Sequence, residues 1–360
     1  MLDSPRPVPG PIGAILGRLG EPFYALVVGQ RNAAFDRGAG VQRAAVPVAS
    51  VGNLSVGGTG KTPIVAWLVR ALAARGLKPA VAMRGYMPTG AAAGGSDEAR
   101  EYAAILPGVP ILVNPDRAAA IAERLAGEPG AFDAVVLDDG FQHRRLHRDV
   151  DVVLIDATRN PFADRLLPAG WLREPVASLR RAQAVVLTHA EAVAPSVVDR
   201  LVAQVRGLIG RGPTAVVRHE WGGLEGMPRG VPGDDAVGPV EWLKGKRLMV
   251  ACAIGNPWPF VQAAQRAGEV REQMVLRDHD PFAPATVERM MTAARRIRAE
   301  AIVVTGKDWT KLSQAAVAWP CPVLRPVLRL RFDRGEQELA RMVAEALGKA
   351  AAAAPGPTGT

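Results

Sequence analysis

A glycine-rich run near the start of the chain ends in Gly60-Lys61-Thr62 and reads VGNLSVGGTGKTP over residues 51–63. In such a run the lysine reaches the outer phosphates of a nucleotide, the next hydroxyl holds Mg²⁺, and N–H groups of the following helix face the anion. Ser55 holds the place of the first glycine in the usual G-x-x-x-x-G-K-[ST] pattern. The sequence therefore predicts a phosphate-binding loop, and an ordinary glycine-rich turn is the alternative. The predicted nucleotide contacts are Ser55, Val56, Gly57, Gly58, Thr59, Gly60, Lys61 and Thr62.

Two adjacent carboxylates, Asp138 and Asp139, follow an apolar run at residues 134–137. An acidic residue at the carboxyl end of a buried strand is where a phosphate-loop protein places its second Mg²⁺ contact. Ligands of open α/β sheets bind at that edge. We therefore predict that this pair joins Thr62 in holding Mg²⁺. The alternative is an aspartate that only caps the turn after the strand.

Other polar residues follow predicted strands or open predicted helices. Arg84 comes directly after residues 79–83 and either binds phosphate or caps the sheet. Asp97 is an ordinary helix N-cap on local grounds, but a phosphoryl transferase also needs a carboxylate near the hydroxyl that accepts the phosphoryl group. His279 lies between two aspartates, which fits either a proton relay or a structural loop histidine.

The elements that must position these residues alternate between apolar strands and amphipathic helices over residues 46–210. This alternation predicts a doubly wound, mainly parallel α/β sheet. A second alternating set, with strands near 248–254, 273–276 and 301–304, predicts a smaller α/β unit. Residues 222–238 between the two sets are predicted to form a loop or linker. The predicted strands of the first set are 46–51, 79–83, 110–113, 134–137, 150–155 and 184–188.

The two ends of the chain have patterns of their own. Residues 12–31 place apolar side chains on one helical stripe, which indicates an amphipathic segment. Such a segment either lies in a membrane interface or packs on its own domain. The tail at 350–360 is rich in Ala, Gly and Pro and is predicted to be disordered.

Composition narrows the class of function. The 360 residues carry 44 Lys and Arg against 35 Asp and Glu, and the net charge of +9 favours an anionic partner. Nucleic acid is disfavoured, because the sequence has no helix-turn-helix signature, zinc spacing or basic patch interleaved with aromatic residues. Cys252 and Cys321 provide neither a disulfide framework nor a metal cluster, which fits a reducing compartment. We find no secretory signal and no apolar run of about 18 residues, so we expect no bilayer-spanning segment.

Eight stretches of the chain are informative together: VGNLSVGGTGKTP at 51–63, MRGY at 83–86, SDE at 96–98, LDDGFQHRRLHRD at 137–149, LPAGWLREP at 167–175, AIGNPWPF at 253–260, RDH at 277–279 and VTGKDWTKL at 304–312. In this order they resemble the tetraacyldisaccharide 4′-kinases, which are the lipid A 4′-kinases of Gram-negative bacteria. The resemblance implies ATP-dependent phosphorylation of the 4′-hydroxyl of a tetraacylated glucosamine disaccharide 1-phosphate, which forms lipid IVA. It also implies a P-loop NTPase-type domain joined to a smaller α/β domain by a β linker. The implied place is the cytoplasmic face of the bacterial inner membrane, as a peripheral or monotopic protein on an anionic surface.

The resemblance also assigns roles to individual residues. Asp97 is implied as the general base and His279 as its partner across a domain cleft, and Lys61 is implied as a phosphate ligand. The implied metal ligands are Thr62, Asp138, Asp139 and Glu98. Surplus arginines suit an anionic lipid and a phosphorylated sugar. The candidate substrate contacts are Arg84, Arg117, Gln142, His143 and Arg173, and the further arginines of this surplus are Arg144, Arg145 and Arg148.

The predicted division of the chain has five parts. They are a membrane-interface segment, a P-loop kinase domain, a smaller α/β domain with linker strands, a C-terminal helix and a disordered tail, at residues 1–45, 46–213, 214–333, 334–349 and 350–360. Two alternative functions are a P-loop kinase of a small soluble metabolite and a non-catalytic nucleotide-binding switch. Lys307 and Asp308 are adjacent, which breaks the [NT]-K-x-D spacing of guanine-reading proteins and argues against a switch of that kind. The sequence leaves the oligomeric state open.

Overall fold

The computed structural model describes residues 11–57, 59–85, 97–227, 238–278, 280–313 and 317–353, apart from the side chains of residues 11–14, 97 and 353. These residues form two compact units. The first lies within Met1–Arg218 and Phe332–Thr360, and the second is His219–Arg331.

Strands and helices are numbered along the whole chain. The strands are β1 Val48–Asn53, β2 Pro79–Met83, β3 Ile111–Val113, β4 Ala134–Asp138, β5 Val150–Asp156, β6 Ala184–Thr188, β7 Ala215–Met227, β8 Arg247–Cys252, β9 Glu269–Val275, β10 Ala301–Val304 and β11 Val323–Arg334. The α-helices are α1 Pro11–Asp36, α2 Lys61–Ala73, α3 Asp97–Ile105, α4 Arg117–Gly127, α5 Pro195–Ile209, α6 Trp258–Ala267, α7 Pro284–Arg296, α8 Gly306–Leu312 and α9 Glu336–Ala353.

The first unit is built on a parallel sheet with the strand order β3-β2-β4-β1-β5-β6-β7. Strands β1, β2, β4, β5 and β6 are buried along their whole length, as expected for parallel strands covered on both faces. Strand β1 lies between β4 and β5, with β2 and β3 on one side and β6 and β7 on the other, so the strand order changes direction at β1. A ligand crevice is expected at the carboxyl end of a strand in this position. The predicted doubly wound α/β fold is confirmed, because every predicted strand of the first set is present within two residues.

Helix α1 contacts the first unit with one face and leaves its other face open. On the packed face, Gly17 and Gly20 approach the chain closely, since a Cβ on them would lie 3.0 and 3.2 Å from atoms of Pro168. On the open face, Leu19 and Phe23 are each 72% exposed. The segment therefore packs on its own domain, which was one of the two alternatives, and it also leaves an apolar stripe exposed, while its place in a membrane interface stays a prediction. Among the described helices, none combines the length and hydropathy needed to pass through a bilayer.

Helix α9 belongs to the first unit although it lies at the far end of the chain. Trp67 of α2 donates its indole N–H to Glu336 at 3.1 Å, and its ring centroid lies 4.7 Å from that of Phe332. The C-terminal helix, predicted as a separate part, thus completes the first unit.

The second unit contains the rest of β7 with β11, β10, β8 and β9. Strand β8 pairs in parallel with β9 and β10, and β10 pairs in parallel with β11. Its core includes the fully buried Met290 and Leu312 beside the strands. Cys252 and Cys321 are free and buried, and burial, aided by Asp308, raises the pKa of Cys252 to about 12. The second unit is the smaller α/β unit that the sequence predicts.

The structure differs from the prediction in two irregular segments. Residues 222–227, predicted as loop, continue β7, because Gly222 and Gly226 leave room for side chains of β11. A Cβ on either glycine would collide with Arg329 or Leu324. Residues 350–353, predicted as disordered, are the last residues of α9, since alanine favours helix. Residues 228–237 and 354–360 lie outside the described chain.

Candidate active site

The predicted phosphate loop joins the carboxyl end of β1 to the start of α2 in the first unit. Gly57 and Gly60 have φ angles of 102° and 72°, a left-handed conformation that glycine adopts without strain. Gly60 is the N-cap of α2 and has no side chain to offer to the first N–H groups of the helix. These donors, with the positive end of the helix dipole, are available to an anion. Gly58 lies outside the described residues.

Residues outside the loop hold its backbone in place. The hydroxyl of Thr188, at the end of β6, donates to the carbonyl of Thr59 at 3.0 Å. The N–H of Val56 donates to the carbonyl of Trp171 at 2.8 Å. The loop conformation is therefore set by two separate parts of the first unit.

Lys61 points toward an amide and a carboxylate. Its Nζ donates to Asn53 Oδ1 at 3.2 Å and lies 3.4 Å from Asp139 Oδ1. Asn53 is fully buried, and its Nδ2 donates to the Ser55 carbonyl at 2.5 Å. The backbone carbonyl of Asn53 accepts from Gln142 Nε2 at 2.9 Å. Asn53 therefore orders the loop and accepts a hydrogen bond from its lysine, a role that sequence analysis missed because the residue lies between the predicted strand and the predicted nucleotide contacts.

The two carboxylates at the end of β4, Asp138 and Asp139, have opposite electrostatic environments. Burial raises the pKa of Asp138 to about 6, against the lowering effect of Lys61 and with help from Asp139. Burial also acts to raise the pKa of Asp139, but Lys61 and Arg173 together lower it to about 2. Arg173 Nη1 lies 2.7 Å from Asp139 Oδ2. Asp138 Oδ1 is buried and has no hydrogen-bond partner among the described residues, so it is the oxygen that a cation would satisfy.

Helix α3 brings further polar groups toward this carboxylate. Glu98 is close enough to Asp138 to contribute to its raised pKa. Tyr102 is fully buried with its hydroxyl beside Thr62 and Asp138, and burial, followed by the charge of Asp138, raises its pKa well above the ordinary value. Sequence analysis missed Tyr102, because an aromatic residue inside a helix reads as core. The side chain of Asp97 lies outside the described residues, and only its place at the start of α3 is given.

The candidate substrate residues differ in how much of them faces solvent. Arg84 is exposed after the end of β2. Arg117 is only 4% exposed and donates Nη2 to the Asp138 carbonyl at 3.3 Å, so it supports the acidic residue from within the fold. Burial, followed by the charges of Arg117 and Arg148, lowers the pKa of His143 to about 4, which leaves this imidazole neutral at pH 7.

Two of the surplus arginines are internal instead of facing an anionic partner. Arg144 reaches back to α1, where it donates to Asp36 Oδ1 at 2.6 Å and to the Asn32 carbonyl at 3.0 Å. Arg148 pairs with the buried Asp151 at 2.9 Å. Their side chains stabilise the first unit. A count of arginines in the sequence does not distinguish such buried arginines from exposed ones.

The predicted residues of the second unit are only partly described. His279 lies outside the described residues. Its neighbour Asp278 is 3.5 Å from Lys307 Nζ. Asp308 is fully buried and accepts from the Ala253 N–H at 2.9 Å, so this carboxylate has a structural role at the start of α8. That role explains an aspartate next to a lysine without any reading of a nucleotide base.

The edge of the first unit's sheet thus combines groups of complementary chemistry. A helix start with open N–H groups and a lysine suit phosphate oxygens. The carboxylate oxygen of Asp138, which has no hydrogen-bond partner among the described residues, and the hydroxyl of Thr62 both lie near the Tyr102 hydroxyl, and both suit Mg²⁺, which prefers oxygen ligands. This arrangement is suited to a nucleoside triphosphate with its magnesium ion.

Comparisons with known proteins agree with this chemistry. The LpxK family model, described as tetraacyldisaccharide-1-P 4′-kinase, matches residues 15–347. A tetraacyldisaccharide 4′-kinase of Anaeromyxobacter sp. (strain K) is 37% identical over 98% of this chain and 95% of its own length. One from Geobacter metallireducens is 38% identical over 83% of this chain and 88% of its own length. The crystal structure titled as the "apo" form of LpxK from Aquifex aeolicus in complex with ATP is 27% identical, with a TM-score of 0.64, and covers 91% of this chain and 97% of that one.

Proposed function

The chain belongs to the tetraacyldisaccharide-1-P 4′-kinase family, and from this premise we propose that phosphoryl transfer takes place at the loop of residues 55–62. The protein is an ATP-dependent kinase that phosphorylates the 4′-hydroxyl of tetraacyldisaccharide 1-phosphate in lipid A biosynthesis, forming lipid IVA. The observation that carries the proposed site is the position of Lys61 at the helix start, 3.4 Å from Asp139 and next to the buried Asp138.

The phosphate ligands in this proposal come from the loop and from α2. The N–H groups after Gly60 bind phosphate oxygens, and Lys61 turns from Asn53 and Asp139 toward the β- and γ-phosphates when ATP enters. Asn53 supports this change, because its amide holds the loop at Ser55 whether or not its Oδ1 accepts from the lysine. Positioned charge of this kind is the main catalytic contribution in phosphoryl transfer.

Magnesium is a further part of the proposal. Thr62 and Asp138 would hold the ion, with Glu98 nearby, because the unpartnered Oδ1 of Asp138 fits a cation. When bound, Mg²⁺ supplies charge neutralisation of the transferring phosphoryl group. Asp139 has a different part in this scheme: it already faces Lys61 and Arg173, so it balances these cations and is at most an outer ligand.

The residues that we assign to the acceptor hydroxyl are only partly described: the side chain of Asp97 and the whole of His279 lie outside the described residues. We assign Asp97 as the base that receives the proton of the 4′-hydroxyl, with His279 as its partner, on the strength of the family motifs. Late proton removal suits a loose phosphoryl transition state, in which an ordinary carboxylate is sufficient. We assign Arg84, which is exposed directly after β2, to the anionic sugar lipid.

A direct assay tests this assignment. Purified protein with ATP, Mg²⁺ and the disaccharide 1-phosphate lipid in mixed micelles is expected to form the bisphosphorylated lipid and ADP in equal amounts. Asp97→Asn is expected to reduce turnover at least 100-fold while nucleotide binding, measured by calorimetry, changes less than threefold. Equal activity on a water-soluble sugar without acyl chains would support the small-metabolite kinase instead. Near-native turnover by Asp97→Asn would remove this residue from the base role.

We further propose that α1 holds the enzyme at the anionic cytoplasmic face of the inner membrane as a peripheral or monotopic protein. Its open face is an apolar stripe in which every residue is 47% or more exposed. Exposed arginines, including Arg18 and Arg31, lie on the same helix and suit anionic headgroups. The residues of the stripe are Ile15, Leu16, Leu19, Phe23, Leu26 and Val27.

Point substitutions in the stripe test the membrane role better than removal of the helix, because α1 also packs on the first unit. The double variant Leu19→Ser/Phe23→Ser is expected to weaken binding to phosphatidylglycerol-containing vesicles about 10-fold, since two large apolar side chains no longer enter the interface. The matched control is Trp242→Ser/Leu328→Ser, which removes two exposed apolar residues elsewhere. Unchanged sedimentation of the α1 variant with vesicles would contradict an interfacial role.

A further inference from the structure

One short part of the first unit, residues 164–174, touches both α1 and the phosphate loop, and we call it the bridge segment. Arg173 shows the connection most clearly, because three of its groups bind three different elements. Its N–H donates to the Leu54 carbonyl at 2.7 Å, its carbonyl accepts from the Tyr24 hydroxyl at 3.0 Å, and its guanidinium holds Asp139 at 2.7 Å. The residue therefore joins α1, the start of the loop and the acidic pair.

The bridge segment is fixed to α1 at several points besides Tyr24. Glu21 accepts from Arg165 Nε at 2.8 Å and from the Leu166 N–H at 3.1 Å. Asn32 Nδ2 donates to Glu174 Oε2 at 2.9 Å, and Glu174 is fully buried. Contacts spread over three turns of one helix define its position relative to the bridge segment more tightly than any single hydrogen bond would.

On its other side, the bridge segment pairs with the phosphate loop like a short antiparallel strand. Leu172 and Ser55 form an isolated antiparallel bridge, and backbone hydrogen bonds on either side of it use Val56 and Leu54. The bridge segment thus fixes the backbone position of residues 54–56, where the loop begins. A displacement of α1 that moved Arg173 would move the loop entrance and the partner of Asp139 together.

We propose that Tyr24 and Asn32 are positioning residues for phosphoryl transfer, which act through Arg173 and the bridge segment to transmit the seating of α1 on a lipid surface to the phosphate loop. The inference rests on the proposed function, in which this loop binds ATP and the stripe on α1 meets the membrane. Neither side chain touches the reacting groups. Their effect is to hold Asp139 and Lys61 in the geometry from which the lysine reaches the phosphates.

The decisive variant is Tyr24→Phe, because it removes one hydroxyl and keeps the ring. In mixed micelles at saturating lipid, we expect kcat to fall about fivefold, the effect of one misplaced hydrogen bond, while the KM for the lipid and the binding to vesicles stay within twofold of native. Tyr24→Phe/Asn32→Ala is expected to lower kcat about 20-fold. The stripe variant Leu19→Ser/Phe23→Ser should behave differently: its vesicle binding is weakened, and its turnover should be low at limiting lipid and rise as the micelle concentration is raised, whereas the Tyr24 variants stay slow at saturating lipid. A kcat within twofold of native for both Tyr24 variants would overturn the proposal.

Hydrogen exchange gives a readout that a purely structural role of Tyr24 would not produce. Coupling between two sites is reciprocal, so a bound non-hydrolysable ATP analogue should slow exchange of α1 amides between residues 20 and 32 in the native protein. In Tyr24→Phe this slowing should be lost, although the analogue still binds. If the exchange rate of the α1 amides in the native protein does not change when the nucleotide binds, the proposed coupling between α1 and the phosphate loop is wrong. If the native protein shows no lipid kinase activity at all, the proposed function is wrong. The failure of the coupling and the failure of the proposed function therefore give different results.

Discussion

Lys61→Ala is expected to lower kcat about 1,000-fold, the largest single effect that we anticipate outside the metal site. The lysine is the one described cation at the start of α2, and a fixed charge on the transferring phosphoryl group contributes on the order of 4 kcal/mol to the transition state. ATP affinity should fall less, about 10-fold, since the helix N–H groups still bind phosphate. The measurements are steady-state kinetics of lipid phosphorylation and calorimetric titration with an ATP analogue.

This variant should remain folded, which makes the kinetic result interpretable. Asp139 keeps its ion pair with Arg173 at 2.7 Å, so removal of the lysine does not leave Asp139 without a cation. The matched control is Lys244→Ala, a substitution of an exposed lysine in the second unit, which should leave kcat unchanged. A Lys61→Ala enzyme with more than a tenth of native kcat would exclude this lysine as the phosphate ligand.

Asp138→Asn is expected to abolish turnover and at the same time to stabilise the protein. The amide cannot replace a carboxylate toward Mg²⁺, so we expect kcat to fall at least 1,000-fold and the Mg²⁺ requirement to rise. In the native protein, burial raises the pKa of Asp138 from 3.8 to about 6, so ionisation of this group opposes folding increasingly as pH rises from about 4, and fully above about pH 6. The corresponding cost is about 3 kcal/mol at pH 8, as an upper limit.

The pH dependence of this stabilisation has a definite sign. A carboxyl group with a raised folded-state pKa favours the folded protein in its protonated form, and that contribution is lost as pH rises through about 6. Asp138→Asn should therefore gain about 5 °C in Tm at pH 8 in EDTA, and the gain should shrink between pH 6 and pH 4. Asp199→Asn, on the exposed side of α5, is the control and should show no such trend. A variant that is inactive and also less stable at pH 8 would contradict the burial argument.

The parts of the fold that sequence predicts well are those in which neighbouring residues determine the outcome. Strand β4 is a run of apolar residues that a parallel sheet buries on both faces, and its end at Asp138 marks the ligand edge. The phosphate loop is predictable for the same reason, because its glycines and lysine act within one short segment. The family motifs added the reaction, which neither charge nor periodicity indicates.

The parts that sequence does not predict depend on partners far away in the chain. Arg144 and Arg173 are the same residue type, yet one anchors α1 and the other holds Asp139. Strand β7 continues through Gly222 although glycine there was predicted to begin a loop, because the missing Cβ leaves space for the side chain of Arg329 in β11. Tyr24 is separated from its acceptor by 149 residues. Such roles follow from tertiary contacts, which composition and local pattern do not contain.

The burial of both native thiols makes it possible to label helix α1 selectively and to follow its contact with lipid. Cys252, with its pKa raised to about 12, and Cys321, which is also buried, should resist maleimide reagents at neutral pH in the folded protein. A single cysteine introduced at Gly29, where no atom of the described residues would lie within 4 Å of its Cβ apart from the helix's own backbone and its chain neighbours, would then be the fast-reacting thiol. A fluorophore attached there would report immersion of the helix in lipid without any change to the wild-type cysteines.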